Sequence, residues 1–325
     1  MSRVALSEKD IKALTDFLGS VSKDPLEFVR LAFPWGEPNT QLEDKEGPDI
    51  WQIELLNDIK EGLKTPDQVI REAVASGHGI GKSAMVAWII LWAISTHEDT
   101  KGVVTANTDT QLKTKTWAEL AKWYYLFIAK DLFTYSATSI YSNQEGHEKT
   151  WRIDAIPWND SNPAAFAGLH NQGKRTLVIF DEASEISDII WEVAEGAMTD
   201  ADTEIIWCVF GNPTQSSGRF HACFHKNRSL WNRKQIDSRT VKISNKAELE
   251  GWRVQYGEDS DFFKVRVKGE FPSASEKQFI STALVDEARR RTLHEKQFRF
   301  APVIIACDPA WTGGDETVIY LRQGL

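Results

Sequence analysis

The chain has little cysteine, with three in 325 residues, and the same number of methionines. Cys208, Cys223 and Cys307 lie far apart, without the close pairing of a zinc site or the density of a disulfide framework. That scarcity fits a reducing compartment. Positive charge is also short: 38 Lys and Arg against 47 Asp and Glu give a net charge of −9. This argues against a protein that coats nucleic acid by bulk charge, but leaves room for a local basic face. No stretch reads as a membrane span. Trp88 to Ile94 is strongly apolar but short, and it follows a glycine-rich loop directly. Met1 to Asp10 is polar, unlike a secretory signal. There is no internal repeat and no low-complexity tract. What remains is a chain with 42% hydrophobic residues and thirteen tryptophans, enough to build one large domain or two modest ones, with most tryptophans expected in cores.

The most informative run is Ser76-Gly77-His78-Gly79-Ile80-Gly81-Lys82-Ser83. An apolar segment, Val69 to Ala75, precedes it, and a long apolar one, Ala84 to Ile94, follows. Strand, glycine-rich loop and helix in this order form a phosphate cradle, because glycines let backbone N–H groups turn toward an anion at a helix N-terminus. In such a cradle Lys82 reaches the β- and γ-phosphates and Ser83 holds Mg²⁺. The pattern departs at its first position, where Ser76 replaces the usual glycine.

A second run supports the first. Thr176-Leu177-Val178-Ile179-Phe180 reads as a buried parallel strand, and it ends in Asp181-Glu182. Strand ends are where α/β proteins place ligands. Asp181 would bind Mg²⁺ and Glu182 would polarise the attacking water. The bland alternative is a glycine-rich turn beside an unrelated strand, which the two motifs in this order make remote.

Around these runs the pattern alternates strand and helix. Two short helices occupy residues 1–35, a Pro- and Gly-rich loop spans 34–49, and an amphipathic helix spans Ile50 to Leu63. Strands are expected at Val69–Ala75, Gly102–Ala106, Thr150–Ile156, Thr176–Phe180 and Glu204–Phe210, with helices at Thr110–Ala129 and Ile189–Met198. Residues 215–245 are polar and basic, a candidate DNA- or partner-facing surface about as readily read as solvated surface. Residues 246–300 read as helical, with pieces at Asp261–Val267 and Ser281–Arg291. A last apolar strand, Val303–Ala306, leads into Cys307-Asp308-Pro309.

Taken in order, several short motifs resemble the large terminase subunit of tailed bacteriophages, the motor that packages DNA into procapsids. They are Trp51-Gln52, the loop at 76–83, Val104-Thr105-Ala106-Asn107 followed by Gln111, Phe180-Asp181-Glu182-Ala183, Gly211-Asn212-Pro213, Tyr256-Gly257-Glu258-Asp259-Ser260, Gly269-Glu270-Phe271-Pro272, and Asp308-Pro309-Ala310 with Gly314-Asp315-Glu316-Thr317. The resemblance covers roughly residues 25 to 325. It implies that Trp51-Gln52 recognises adenine, with an ordinary amphipathic helix as the alternative. It implies that Gly211-Asn212-Pro213 couples hydrolysis to movement, Asn212 sensing the γ-phosphate, with a strand-ending turn as the alternative. His78 departs from the family, where several relatives carry arginine, and a neutral imidazole cannot match a guanidinium on phosphate. Arg152, Arg175 and Arg219 are candidates for an arginine finger. His221 and His225, four apart, have no acidic partner at metal-site spacing, so a solvated helix outweighs zinc.

The resemblance also implies that Val303–Ala306 opens a ribonuclease H-like nuclease, with Asp308 as first ligand of a two-metal Mg²⁺ or Mn²⁺ site and Asp315 nearby. The sequence stops in what reads as the second strand, so that site is expected to be incomplete.

The expected architecture is therefore α/β: a P-loop NTPase of the RecA/ASCE type, with a mostly parallel sheet and helices on both faces. A helical linker and a truncated nuclease strand pair follow. Expected boundaries are 1–48 for a helical lead, 49–245 for the ATPase core, 246–300 for the linker and 301–325 for the nuclease start. The implied activity is Mg²⁺-dependent ATP hydrolysis driving double-stranded DNA translocation. The implied partners are DNA, a portal protein, a small terminase subunit and further copies in a ring, in the host bacterial cytoplasm, with no membrane. A two-RecA-domain helicase is the rival enzyme, although too few residues follow Phe210 for a second such domain. A non-catalytic prophage remnant or assembly module is the rival from another class, and the intact Lys82, Ser83, Asp181 and Glu182 argue against it. A nuclease in its own right lacks its later carboxylates.

Overall fold

The computed structural model describes residues 7–65, 68–106, 108–159, 169–273, 287–288, 290–309 and 317–324. Packing divides the chain into two compact units, Met1–Glu276 and Lys277–Leu325. This partition is coarser than the four segments expected from sequence.

The larger unit is built on an eight-stranded sheet. Its strands are β1 (Ile70–Ser76), β2 (Lys101–Thr105), β3 (Phe133–Tyr135), β4 (Ser139–Ser142), β5 (Arg152–Ala155), β6 (Arg175–Asp181), β7 (Glu204–Gly211) and β8 (Asn232–Ile236). They lie in the order β3-β4-β5-β2-β6-β7-β1-β8. From β5 to β8 every pairing is parallel, while β3, β4 and β5 pair antiparallel. One strand, β7, separates the loop-bearing β1 from the acidic-ended β6. All five expected strands are present, shifted by a residue or two. Sequence reading missed β3, β4 and β8, which lie toward the two edges. Asn232-Arg233-Lys234-Gln235-Ile236 offers a single buried apolar side chain, so it carries none of the hydrophobic run that marks the central strands.

Helices cover both faces. The helices are α1 (Glu8–Ser20), α2 (Pro25–Leu31), α3 (Ile50–Gly62), α4 (Lys82–Thr96), α5 (Trp117–Leu126), α6 (Asp188–Gly196), α7 (Gly218–Phe224) and α8 (Lys246–Tyr256). Capping residues set several starts: Ser7, Asp24 and Asn245 each accept a first-turn backbone N–H. Helix α4 is apolar on every side and buried from Met85 onward, as befits a helix packed all round. The core on its face includes an aromatic cluster of Phe33, Trp35, Trp88, Trp123 and Phe127. The opposite core packs Phe180, Trp191, Trp207 and Trp231 together. Each edge-to-face pair adds about 0.5–1.5 kcal/mol beyond burial. Most of the tryptophans thus serve these two cores.

The long helix expected over 110–129 is broken. A turn at Asp109–Gln111 runs into a π-helical turn, Leu112–Thr116, before α5 begins, and Phe127 leaves the helix with extended backbone. The piece expected at Asp261–Val267 is a helical turn, Asp261–Phe263, followed by a second π-helical turn, Lys264–Lys268. Most of Ser281–Arg291 lies outside the described residues.

The register brings the functional strand ends together. Ala75 stands opposite Gly211, Ser76 opposite Ile236, and Asp181 opposite Phe210. The C-terminal ends of β1, β6, β7 and β8 therefore form one rim.

The smaller unit contains an antiparallel pair, β9 (Val303–Asp308) and β10 (Val318–Gln323), with Asp308 opposite Val318. Both strands expose apolar side chains, among them Ile305 and Ile319.

Candidate phosphate-binding site

The loop between β1 and α4 is held from outside. Gly77 donates its N–H to the Ile236 carbonyl (3.1 Å), and His78 donates to that of Arg266 (2.8 Å). The Ser238 hydroxyl donates to the His78 carbonyl (2.7 Å). A Cβ on Gly77 would stand 2.3 Å from Ser238 Oγ and 2.4 Å from the Val267 carbonyl, so only glycine fits there. Gly79 and Gly81 take left-handed φ values of +71° and +86°, which turn the loop toward the helix start. Met85 is the first to find an acceptor in the loop, the Gly81 carbonyl. Among the described residues, the amides from Gly79 to Ala84 donate to no acceptor. They are the orphan donors of a helix N-terminus, and an anion would satisfy them.

Lys82 supplies the charge. Its half-buried side chain donates to Ser76 Oγ (3.2 Å) and Asn212 Oδ1 (3.3 Å). Burial pulls its pKa down, while the Glu182 and Asp181 carboxylates oppose that shift. The departure at Ser76 thus has a use. The residue ends β1 without positive φ, and its hydroxyl accepts Lys82 while donating to the Gly77 carbonyl (3.0 Å). The Asn212 amide also donates to the Ser76 carbonyl (2.6 Å), which pins the end of β7 to the start of the loop.

The acids come from β6. Asp181 is buried; Thr116 donates to its Oδ2 (2.5 Å) and the Glu182 amide to its Oδ1 (3.1 Å). Burial and the neighbouring Glu182 charge raise its pKa, against the Thr116 hydrogen bond and the Lys82 charge. Glu182 sits at φ +54°, ψ +44°, a left-handed backbone that costs a non-glycine residue about 1–3 kcal/mol. Strain of this size persists only where surrounding contacts impose it. Here the next turn is clamped: Thr214 donates to Glu185 Oε1 (2.7 Å) and Gln215 to Glu185 Oε2 (3.2 Å). A Cβ on Gly211 would stand 3.3 Å from the amide nitrogens of Ala183 and Ser184. Pro213 lies between Asn212 and this clamp. The segment after β7 therefore touches Lys82 at one end and the turn bearing Glu182 at the other. Ser83 and Asp181 offer only hard oxygen donors, the chemistry that suits Mg²⁺.

Trp51 and Gln52 lie at the far end of the loop. The Trp51 indole donates to the Ile80 carbonyl (3.2 Å), and the Gln52 amide donates to that of Gly81 (3.3 Å). Gln52 Oε1 accepts the Asp49 amide (2.8 Å) in a capping box at the start of α3. Both side chains are buried and brace the loop.

None of the three arginines singled out in the sequence is free. Arg152 pairs with Asp154, Arg219 with Glu195 (2.6 Å), and Arg175 with Glu204 (2.7 Å). Arg175 is fully buried at the start of β6, the end of the strand away from Asp181. The basic run 215–245 is partly spent too: Lys234 bonds Asp58, Arg239 bonds Asp237 and Glu258, and Lys242 approaches Glu46. His221 and His225 stack face to face (3.8 Å) against Phe271. Burial of His221, reinforced by His225, lowers its pKa to about 4.

Sequence reading missed Thr116, Ser238 and Arg266. Each is an isolated polar residue outside any glycine or acidic motif, and only the tertiary fold brings it to the loop. Asp308 lies exposed at the end of β9. Asp315 and Asn107 lie outside the described residues.

No protein-family model matches the chain. A curated protein, the "Probable terminase, large subunit" of Enterobacteria phage P7, is 26% identical over 234 residues, covering 67% of this chain and 46% of that one. The chain is similar to that phage large terminase. It spans about half the length of that curated relative. Solved structures share the fold. The large terminase of a thermophilic bacteriophage, solved in its crystal form 2, superposes with a TM-score of 0.51 at 12% identity, covering 84% of this chain and 64% of that one. Crystal form 3 of the same terminase gives 0.51 at 12% identity, over 70% and 53%. The mostly parallel sheet with helices, and a separate antiparallel strand pair, match the architecture expected from the sequence. No helix among the described residues is long and apolar enough to cross a membrane.

Proposed function

We propose that this chain is the ATP-hydrolysing motor portion of a large terminase, driving double-stranded DNA into procapsids. The observation that carries the reading is the convergence on one rim of orphan helix amides, the Lys82 ammonium, and the Asp181 and Glu182 carboxylates. That set matches what phosphoryl transfer to water needs: a cradle, a cation, a metal carboxylate and a residue to orient water.

In this reading the triphosphate takes the amides of Gly79 to Ala84, and Lys82 leaves Ser76 and Asn212 for its oxygens. Ser83 and Asp181 would hold Mg²⁺, whose charge would neutralise that of the phosphates. Glu182, fixed by its strained backbone and the Glu185 clamp, orients and deprotonates the attacking water. When the γ-phosphate departs, Lys82 returns to Asn212, and the segment through Pro213 and Thr214 carries the change to the turn after Glu182. Trp51 and Gln52 keep the loop in register beneath the nucleotide. The portal protein, a small terminase subunit and further copies in a ring are the partners this role requires. Asp308 would join a second, nuclease metal site only with carboxylates from further strands.

Equilibrium titration with a fluorescent ATP analogue in the presence of Mg²⁺ tests the reading. Saturable binding that Lys82→Ala abolishes supports it, and absence of saturable binding by the unaltered chain overturns it.

A further inference from the structure

The phosphate loop is strapped by a segment far away in sequence, and that strap delivers a guanidinium. The π-helical turn Lys264–Lys268 carries Arg266, whose carbonyl accepts the His78 amide. Its side chain folds back along the same loop residue, Nη1 lying 3.2 Å from His78 Nε2. A guanidinium only donates, so Nε2 must be the acceptor and the ring is neutral with its proton on Nδ1. The face of the guanidinium lies over the Phe262 ring (5.1 Å), itself stacked on Tyr256 (3.9 Å).

Among the described residues no carboxylate pairs with Arg266. Arg152, Arg175, Arg219, Arg239 and Arg253, by contrast, each hold one. Of its five N–H donors only one finds an acceptor among those residues, a weak ring nitrogen. An unneutralised arginine, fixed by an aromatic ring and set beside unsatisfied loop amides, is arranged for an anion still to come. His78 belongs to the same loop as Lys82, and the charges of Lys82 and Glu182 both act on its ring.

We propose that Arg266 contacts the terminal phosphate of the bound nucleoside triphosphate in cis, supplying from the strap the guanidinium that His78 cannot. The inference rests on the ATPase reading above. His78 is then the positioning residue that holds Arg266 in place until the nucleotide arrives. The transition state gains a charge-matched, forked donor without one being inserted from a neighbouring subunit.

The test compares ATPγS and ADP binding, each with Mg²⁺, by the full chain and by Arg266→Ala, Arg266→Lys and Lys82→Ala. Arg266→Ala should weaken ATPγS at least about tenfold while leaving ADP nearly unchanged, because only the triphosphate reaches the guanidinium. Arg266→Lys should restore part of that preference, and the melting temperature without nucleotide should stay at the unaltered value. Where turnover is measurable, loss of an arginine at the transferred phosphate should lower kcat by about 10³-fold. Mixing Arg266→Ala with Lys82→Ala chains should restore no turnover, since each active site needs both groups from one chain.

An unchanged ATPγS-to-ADP ratio in Arg266→Ala, or recovery on mixing, overturns the inference while leaving the ATPase reading intact, provided Lys82→Ala has lost binding. Failure of the unaltered chain to bind either nucleotide overturns both.

Discussion

The Lys82 ammonium donates to Asn212 Oδ1 across 3.3 Å, joining the phosphate loop to the end of β7. The pairing gives Lys82 a resting partner in the protein, to be exchanged for phosphate. It also ties that exchange to a segment hydrogen-bonded to the turn after Glu182. Asn212→Ala should therefore leave nucleotide affinity within a few-fold of the unaltered chain but slow hydrolysis at least about tenfold, or about 1.4 kcal/mol of barrier. Single-turnover hydrolysis alongside equilibrium binding separates the two effects. An unchanged rate would remove Asn212 from the coupling route.

Thr116 reaches Asp181 from the π-helical turn before α5, over 2.5 Å. Its hydroxyl is the one side-chain donor to that carboxylate among the described residues. Thr116→Val keeps the shape and removes the hydrogen bond. Partners that orient a metal-binding carboxylate are worth about 10–100-fold in metal affinity. A Mg²⁺ titration of nucleotide binding should shift to higher concentration by about tenfold. A superimposable titration would show that Asp181 needs no such support.

Glu72 is fully buried in the middle of β1, with Asn232 donating to its Oε1 (2.7 Å) and Oε2 left without a partner. Burial raises its pKa to about 8, against the Asn232 hydrogen bond. Between the ordinary carboxyl range and pH 8 the native state holds a proton that the unfolded chain has released. Stability is then greatest below that window and falls as pH rises through it, by at most about 1.4 kcal/mol per unit. Glu72→Gln should flatten the decline and melt higher than the unaltered chain near pH 8, while matching it near pH 5. Parallel melting curves across this range would contradict the assignment.

Arg175 is buried against Glu204, the Thr96 hydroxyl, the Ser22 carbonyl and the face of Trp92 (4.2 Å). Arg175→Ala breaks a buried pair, which costs about 3 kcal/mol or more. The melting temperature should drop sharply, with turnover per folded molecule unchanged. Loss of turnover at an unchanged melting temperature would return Arg175 to the catalytic candidates.

The central strands and the loop were legible because each carries a local signal. Val178 to Phe180 is a continuous apolar run, and glycines crowd between Ser76 and Lys82. The strands toward the edges gave no such signal, since β8 buries only Ile236 and β3 has three residues. The break in the helix at Leu112–Thr116 was hidden because a π turn keeps a helical composition. Lys82, Ser83, Asp181 and Glu182 announce their chemistry by type and spacing. Thr116 and Arg266 act by position alone, brought to the loop by pairing and turns remote in sequence. The exhausted charge of Arg152, Arg175 and Arg219 was invisible for the same reason: Asp154, Glu204 and Glu195 become their partners only once the chain has folded.

The most direct measurement is ATP hydrolysis by this chain, by Lys82→Ala and by Glu182→Gln, with Mg²⁺ and with or without linear duplex DNA. The account predicts turnover that duplex stimulates, loss of binding and turnover in Lys82→Ala, and retained binding with turnover reduced at least about 10²-fold in Glu182→Gln. Binding and turnover unaffected by either substitution would contradict it.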